Sequence, residues 1–123
     1  MNPAKALILL GHGSKAPETL EEMRVLAAKL QASDPGLSVR PAFLTLIRPD
    51  LAEAVRDAVA GGAGEIRVLP LFFFTGKHVL EDIPLQVDAL RSAHPGVKVV
   101  LLEAAGRHPD FAGFVARAGG IGP

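Results

Sequence analysis

The sequence predicts an α/β fold with an open, four-stranded, mainly parallel sheet in the order 2-1-3-4 and helices on both faces, as in a flavodoxin-like three-layer sandwich. Three observations support this prediction. Four short apolar runs are almost continuously hydrophobic, which is typical of parallel strands covered on both faces. Segments with helical spacing of apolar residues lie between these runs, and turn-forming Gly and Pro residues separate the two kinds of segment.

The predicted strands are rich in β-branched and aliphatic residues. Pro70 lies inside the third run, where it cannot donate a hydrogen bond to a neighbouring strand, so we expect an irregularity there. The four runs are Ala6–Leu10, Leu37–Leu46, Glu65–Phe74 and Val97–Glu103.

Three helices are predicted from apolar residues at positions i, i+4 and i+7, and a fourth is expected after Pro109. Thr19 precedes Glu22 at the spacing of a capping box, and Pro49 and Pro84 suit the first turn of a helix. The three apolar triplets are Met23, Ala27 and Leu30; Leu51, Val55 and Ala58; and Ile83, Val87 and Leu90.

Length and composition predict a single domain over residues 1–123, with a frayed tail at 119–123. The 13 basic and 13 acidic residues cancel, and this balance lacks the basic excess of a nucleic-acid binder. The chain has no cysteine, which excludes disulfides and thiolate metal sites and favours a reducing compartment. We expect a cytoplasmic protein with neither a signal peptide nor a membrane partner, because the apolar run near the N-terminus is too short to span a bilayer.

Two of the four histidines follow strands that the predicted order places side by side. His12 stands between two glycines after the first strand, and His78 follows the third strand. In doubly wound sheets the ligand crevice opens at the carboxyl ends of such strands. Two imidazoles across that crevice would suit a weakly held divalent metal, although each histidine could instead belong to a simple turn.

The other candidates have simpler explanations. His94 in "HPG" is expected in a turn at a helix end, and His108 is expected to cap the last helix. Asp82 lies four residues after His78 and could be a metal ligand, but a helix cap is the favoured interpretation.

The residues around His12 and His78 suit a flat apolar ligand with acidic side chains. Ser14, Lys15 and nearby backbone amides could bind carboxylate or phosphate groups. The run Phe72–Phe74 could form an apolar wall with a rim at Gly76 and Lys77, although these phenylalanines could equally be core residues.

Four segments, "LLGHGSK", "AFLTLIRPDL", "PLFFFTGKHVLEDIP" and "GRHP", resemble the small class II chelatases, the CbiX/SirB sirohydrochlorin cobaltochelatases and ferrochelatases. The resemblance extends from Ala6 to Phe111. It implies a chelatase-like domain and a lyase that inserts Co²⁺ or Fe²⁺ into sirohydrochlorin, towards cobalamin or sirohaem. It also implies a homodimer without an organic cofactor, in which the divalent metal is a substrate.

The resemblance assigns roles to individual residues. His12 and His78 would bind the metal and carry the catalysis, with His12 as the expected proton acceptor. Beyond the resemblance, we expect from their positive charge that Lys15, Lys77 and either Arg48 or Arg107 pair with the carboxylates of the tetrapyrrole. The residues expected to bind the tetrapyrrole are Ser14, Lys15, Thr45, Phe72, Phe73, Phe74, Thr75, Gly76 and Lys77.

One position departs from the family pattern. Relatives usually read "FLE" after the second strand, whereas this chain reads "FLT", with Thr45 in place of the glutamate. A threonine hydroxyl is a poor metal ligand and a poor base at neutral pH. Two alternatives to a chelatase therefore stay open: a non-catalytic metal or tetrapyrrole carrier, and a flavodoxin-like module that binds a phosphate-bearing cofactor through the first loop.

Overall fold

A computed structural model describes residues 4–74 and 76–122, and for residues 78–80 it describes the backbone only. The four strands are all parallel and lie in the order β2-β1-β3-β4, so the predicted fold class and strand order are confirmed. No helix among the described residues is long and apolar enough to cross a membrane. The elements are β1 (Ala4–Gly11), α1 (Pro17–Ser33), β2 (Leu37–Phe43), α2 (Leu51–Ala60), β3 (Ala63–Pro70), α3 (Lys77–Ala93), β4 (Lys98–Leu101), a 3-10 turn (Ala105–Arg107) and α4 (Phe111–Ala118).

Two apolar layers cover the sheet because successive side chains of a strand point to opposite faces. On one face Ala6, Ile8 and Leu10 of β1 pack with Val55 of α2 and Val87 of α3. On the other face Leu9 and Phe43 are buried, and α1 packs against β2. The three predicted helices therefore use the predicted apolar residues, although Met23 and Leu30 are only half-buried.

Helix starts were predicted less well than helix faces. The structure contradicts the predicted capping box at Thr19, because α1 begins at Pro17 after an extended Ala16. Pro84 does not open a helix and Asp82 does not cap one, since α3 runs without interruption from Lys77. The buried side chains on both sides of Pro84 outweigh the hydrogen bond that proline removes from the helix, which costs about 3 kcal/mol.

The second helix also begins later than predicted. Pro49 lies outside α2, and Asp50 is the capping residue. The Asp50 carboxylate accepts a hydrogen bond from the Glu53 amide at 2.8 Å, and the Glu53 carboxylate accepts one from the Asp50 amide at 3.2 Å. This capping box fixes the start of α2 directly after the loop from β2.

The strands β2 and β3 are shorter than predicted, and their last residues pass into loops at the carboxyl edge. β3 ends at Pro70, so the irregularity expected inside a longer strand is instead its end. Beyond the strand ends, backbone amides of the two loops still donate hydrogen bonds to β1: Leu71 donates to the Leu10 carbonyl at 2.8 Å, and Leu44 to the Gly11 carbonyl at 3.0 Å. These bonds tie the loops to the central strand.

Two pairs of loops at the carboxyl edge approach each other backbone to backbone. Gly13 has a φ of +105°, and a Cβ built on it would lie 1.8 Å from the Thr45 carbonyl oxygen. A Cβ on Gly106 would lie 1.8 Å from the Phe73 carbonyl oxygen, and the Gly106 amide donates to the Phe72 carbonyl at 2.8 Å. Only glycine fits at either place without displacing the neighbouring loop.

Gly13→Ala should destabilise the protein more than Gly62→Ala. Gly62 has nearly the same φ, +100°, but nothing lies within 4 Å of its added Cβ. Gly62→Ala should therefore cost only the backbone strain, about 1–2 kcal/mol. Gly13→Ala adds the collision with Thr45, which should cost about 2 kcal/mol more. Urea unfolding of both variants measures the difference, and equal losses would contradict the close contact.

Asp50→Ala should lower the free energy of unfolding by about 1 kcal/mol, because the Glu53 amide loses its side-chain acceptor. Asp57→Ala is the matched control, since Asp57 is an exposed aspartate of the same helix. Its effect should stay within about 0.5 kcal/mol. Chemical denaturation at neutral pH checks the pair, and similar losses in the two variants would argue against the cap.

Candidate functional site

His12 lies at the carboxyl end of β1, the strand between β2 and β3. Its carbonyl accepts a hydrogen bond from the Thr45 amide at 3.1 Å, so the loop after β2 fixes its backbone. The ring is exposed and meets Phe72 edge to face, with centroids 6.3 Å apart and planes at 77°. The sequence therefore builds a rigid glycine corner that holds an accessible imidazole at the edge of the sheet.

The structure places the backbone of His78 in the first turn of α3, directly after the loop from β3. β1 and β3 are neighbours in the sheet, as the predicted switch point requires. The His78 side chain and all of Thr75 lie outside the described residues. Their roles stay predictions.

An open cleft of about 380 Å³ lies next to His12 on the α1 side of the sheet. Sequence analysis missed the α1 wall of this cleft, because it assigned Thr19 and Glu22 to a helix cap. The spacing of these residues in the sequence could have revealed this wall, since residues 19, 22, 23 and 26 share one helix face. The lining residues are Gly11, His12, Gly13, Thr19, Glu22, Met23, Leu26, Phe43 and Leu71.

The three consecutive phenylalanines occupy different environments. Phe72 is buried in the core, whereas 60% of Phe73 and 91% of Phe74 is exposed. The Phe73 ring packs against Phe111 of α4 at a centroid distance of 5.1 Å, and Phe111 lies 6.2 Å from Phe114. Phe72 thus contacts His12 from within the core, whereas Phe73 and Phe74 form an exposed aromatic surface at the carboxyl edge. Phe111 and Phe114 were missed because the contact of Phe111 with Phe73 depends on how α4 meets the distant loop after β3.

All four predicted cations are exposed in the loops or helix starts at the carboxyl edge. Lys15, Lys77 and Arg107 form no ion pair within 4.0 Å among the residues that the structure describes. Arg48 differs, because its Nε donates to the Glu53 carboxylate at 3.1 Å. That hydrogen bond lowers the pKa of Glu53 and raises the pKa of Arg48.

The remaining candidates with described side chains line the same edge. The Ser14 hydroxyl oxygen accepts a hydrogen bond from the Ala16 amide at 3.0 Å, which shapes the turn before α1. Thr45 is exposed, and its backbone amide donates to the His12 carbonyl. Gly76 precedes α3 in an extended conformation, with no atom within 4 Å of an added Cβ.

His94 and His108 both lie in turns next to helices, but only His94 has its predicted role. His94 ends α3, in the turn that leads to the start of β4, at the opposite edge of the sheet from His12. The prediction that His108 caps the last helix is wrong, because α4 begins at Phe111 with Asp110 as its N-cap; Nδ1 of His108 instead accepts a hydrogen bond from the Asp110 amide at 3.2 Å in the turn before the helix. Among the residues with described side chains, no three His, Asp or Glu come close enough to hold a metal ion.

Comparisons with known proteins all point to one family. The sequence model of the CbiX family matches residues 6–118. The chain is 32% identical over 90 residues to sirohydrochlorin cobaltochelatase of Methanocaldococcus jannaschii, a match that covers 73% of this chain and 63% of the relative. It is 26% identical over 106 residues to sirohydrochlorin cobaltochelatase of Priestia megaterium, covering 86% of this chain and 34% of that protein. The chain thus spans less than two thirds of the length of these relatives.

Solved structures share the fold. The putative cobalamin biosynthesis CbiX protein of Marinobacter aquaeolei superimposes with a TM-score of 0.82 and 28% identity, covering 94% of both chains. The sirohydrochlorin chelatase SirB of Bacillus subtilis in complex with cobalt gives a TM-score of 0.73 and 25% identity, and the match covers 81% of this chain and 43% of SirB. Together with the parallel sheet in the order 2-1-3-4 and the match over residues 6–118, these similarities establish that the chain belongs to the CbiX family.

Proposed function

We propose that this protein is a sirohydrochlorin chelatase that inserts Co²⁺ or Fe²⁺ into the tetrapyrrole, for the synthesis of cobalamin or sirohaem. The observation that carries the proposal is the exposed His12 imidazole on the glycine corner of a CbiX chain. Two relatives are named sirohydrochlorin cobaltochelatase, and SirB structures contain cobalt or Fe³⁺.

The reaction exchanges two pyrrole N–H protons for one divalent cation, which the protein presents to one face of the ring. His12 and His78 would hold the cation between the loops after β1 and β3. A neutral imidazole either binds a metal or accepts a proton near pH 7. We assign the acceptor role to His12: once the cation has passed to the ring, the exposed imidazole can accept the two pyrrole protons in turn and release each of them to water.

The aromatic surface would support the macrocycle. Phe73 and Phe74 present exposed rings to a flat conjugated ligand, and stacking favours such contacts. Gly106 packs against the Phe73 backbone and Phe111 packs against its ring, and these two contacts hold Phe73 in place. Phe72 acts indirectly, through its edge contact with His12.

Polar groups at the same edge would bind the acidic side chains of the ring. Lys15, Lys77 and Arg107 are exposed cations that suit carboxylates. Ser14, Thr45, Thr75 and Gly76 complete the proposed set of binding residues. Arg48 is a weaker candidate than the sequence indicated, because Glu53 already binds its guanidinium group.

We also propose that the protein acts as a homodimer in the cytoplasm. SirB is more than twice as long as the segment that this chain matches, so two copies of the chain would equal one SirB. Phe114 and Val115 of α4 are about half exposed and offer apolar area to a second copy. The absence of cysteine fits a reducing compartment.

Thr45 favours one alternative, a carrier that binds metal or tetrapyrrole without turnover. Thr45 is exposed and its backbone bonds to that of His12, but its hydroxyl supplies neither a carboxylate ligand nor a base. A carrier would bind the metallated ring tightly and would not accelerate its formation.

His12→Ala and His78→Ala should each lower the rate of metal insertion at least about a hundredfold, because each removes a metal ligand or proton acceptor. The rate is followed anaerobically by absorbance, with sirohydrochlorin and Co²⁺ and then Fe²⁺. His94→Ala is the matched control, since His94 lies in the turn that ends α3.

Melting temperatures of the same variants separate catalysis from folding. The exposed His12 ring predicts little change on its replacement. Activity retained in both variants, or lost equally in His94→Ala, would refute the assignment. Tight binding of the product by an inactive unsubstituted protein would establish the carrier.

A further inference from the structure

The cleft beside His12 contains a second ionisable group that the proposed mechanism does not use. Glu22 lies on α1 and lines the cleft together with His12. The other lining residues are glycines, Thr19 and apolar side chains. Glu22 and His12 are therefore the two lining groups that carry charge or ligate a metal readily.

Helix geometry explains why Glu22 faces this cleft. Thr19, Glu22 and Leu26 are spaced three and four residues apart and so form one stripe of α1. Met23 of the same stripe packs towards Gly11, since a Cβ on Gly11 would lie 3.0 Å from the Met23 Cε. The glycine corner that presents His12 thus also sets how closely α1 approaches the strand.

The charge of Glu22 is uncompensated in the described part of the chain, where no cation lies within 4.0 Å of its carboxylate. Lys15, Lys77 and Arg107 at the carboxyl edge suit the carboxylates of a macrocycle, but they repel a divalent cation. Glu22 gives the cleft a negative group that attracts it.

We propose that Glu22 binds the incoming divalent cation together with His12, on the α1 side of the sheet, before the cation passes to the ring. This inference rests on the proposed function. An imidazole nitrogen and a carboxylate oxygen suit Co²⁺ or Fe²⁺. Few protein ligands make the site weak enough to release its cation, and Glu22 supplies from α1 the carboxylate that Thr45 lacks.

The test is Co²⁺ binding by isothermal titration calorimetry, without tetrapyrrole, for the unsubstituted protein, Glu22→Gln and Glu21→Gln. Glu21 is the matched control, because it is an exposed glutamate next to Glu22 that does not line the cleft. Glu22→Gln should weaken Co²⁺ binding about tenfold or more, as loss of a metal-site partner does. Glu21→Gln should change it less than twofold.

Steady-state kinetics provide the second measurement. Glu22→Gln should raise KM for Co²⁺ and leave KM for the tetrapyrrole unchanged, which a general loss of structure would not do. Equal Co²⁺ affinities in the two glutamine variants, or no measurable Co²⁺ binding by the unsubstituted protein, would overturn the inference. Weaker Co²⁺ binding in Glu22→Gln without any turnover by the unsubstituted protein would keep the cation site and refute the proposed function. Normal turnover with unchanged Co²⁺ binding in Glu22→Gln would refute the cation site at Glu22 and keep the proposed function.

Discussion

The site depends on how closely the loops at the carboxyl edge of the sheet can approach each other. Gly13 touches the Thr45 carbonyl, and Gly106 touches the Phe73 carbonyl, at distances that leave no room for a Cβ. Backbone hydrogen bonds from Thr45 to His12 and from Gly106 to Phe72 accompany these contacts. The first pair orients the exposed histidine and the second orients the aromatic surface. His12 and Phe73 therefore each lie on backbone that a neighbouring loop holds in place.

The residues that stabilise the fold are largely different from those proposed to act in the reaction. The buried residues of the described chain are all apolar or glycine, and the packing of β1 and β3 against α2 and α3 forms most of the core. The residues proposed to act on metal and tetrapyrrole, such as His12, Glu22 and Phe74, lie largely outside that core and can be replaced with little loss of packing. Phe72 is the exception, because it is a core residue whose edge meets His12.

The sequence was sufficient for the fold because the apolar runs and helical periodicities depend on local spacing alone. Helix starts were harder to predict. Pro84 is a strong local signal for a first turn, yet the packing of Ile83 and Val87 in the core extends α3 through it. The glycine corner at His12 was also visible, since a strand followed by "GHG" is a local pattern.

Other features of the site depend on contacts between segments that are distant in the chain. The placement of Glu22 beside His12 requires the packing of α1 on β2, and the packing of Phe111 on Phe73 requires α4 to meet the loop after β3. The pairing of Arg48 with Glu53 follows from the exact start of α2, which the sequence placed too early. Sequence spacing alone carries little information about such contacts.

A divalent cation should bind at the glycine corner of β1. This binding can be tested by a crystal structure of the protein soaked in Co²⁺, with diffraction data collected above the cobalt absorption edge. We expect an anomalous difference peak at coordination distance from the His12 imidazole, about 2.0–2.1 Å as for zinc bound to histidine nitrogen. A protein that binds Co²⁺ only at His94 or His108, with no peak near His12, would contradict it.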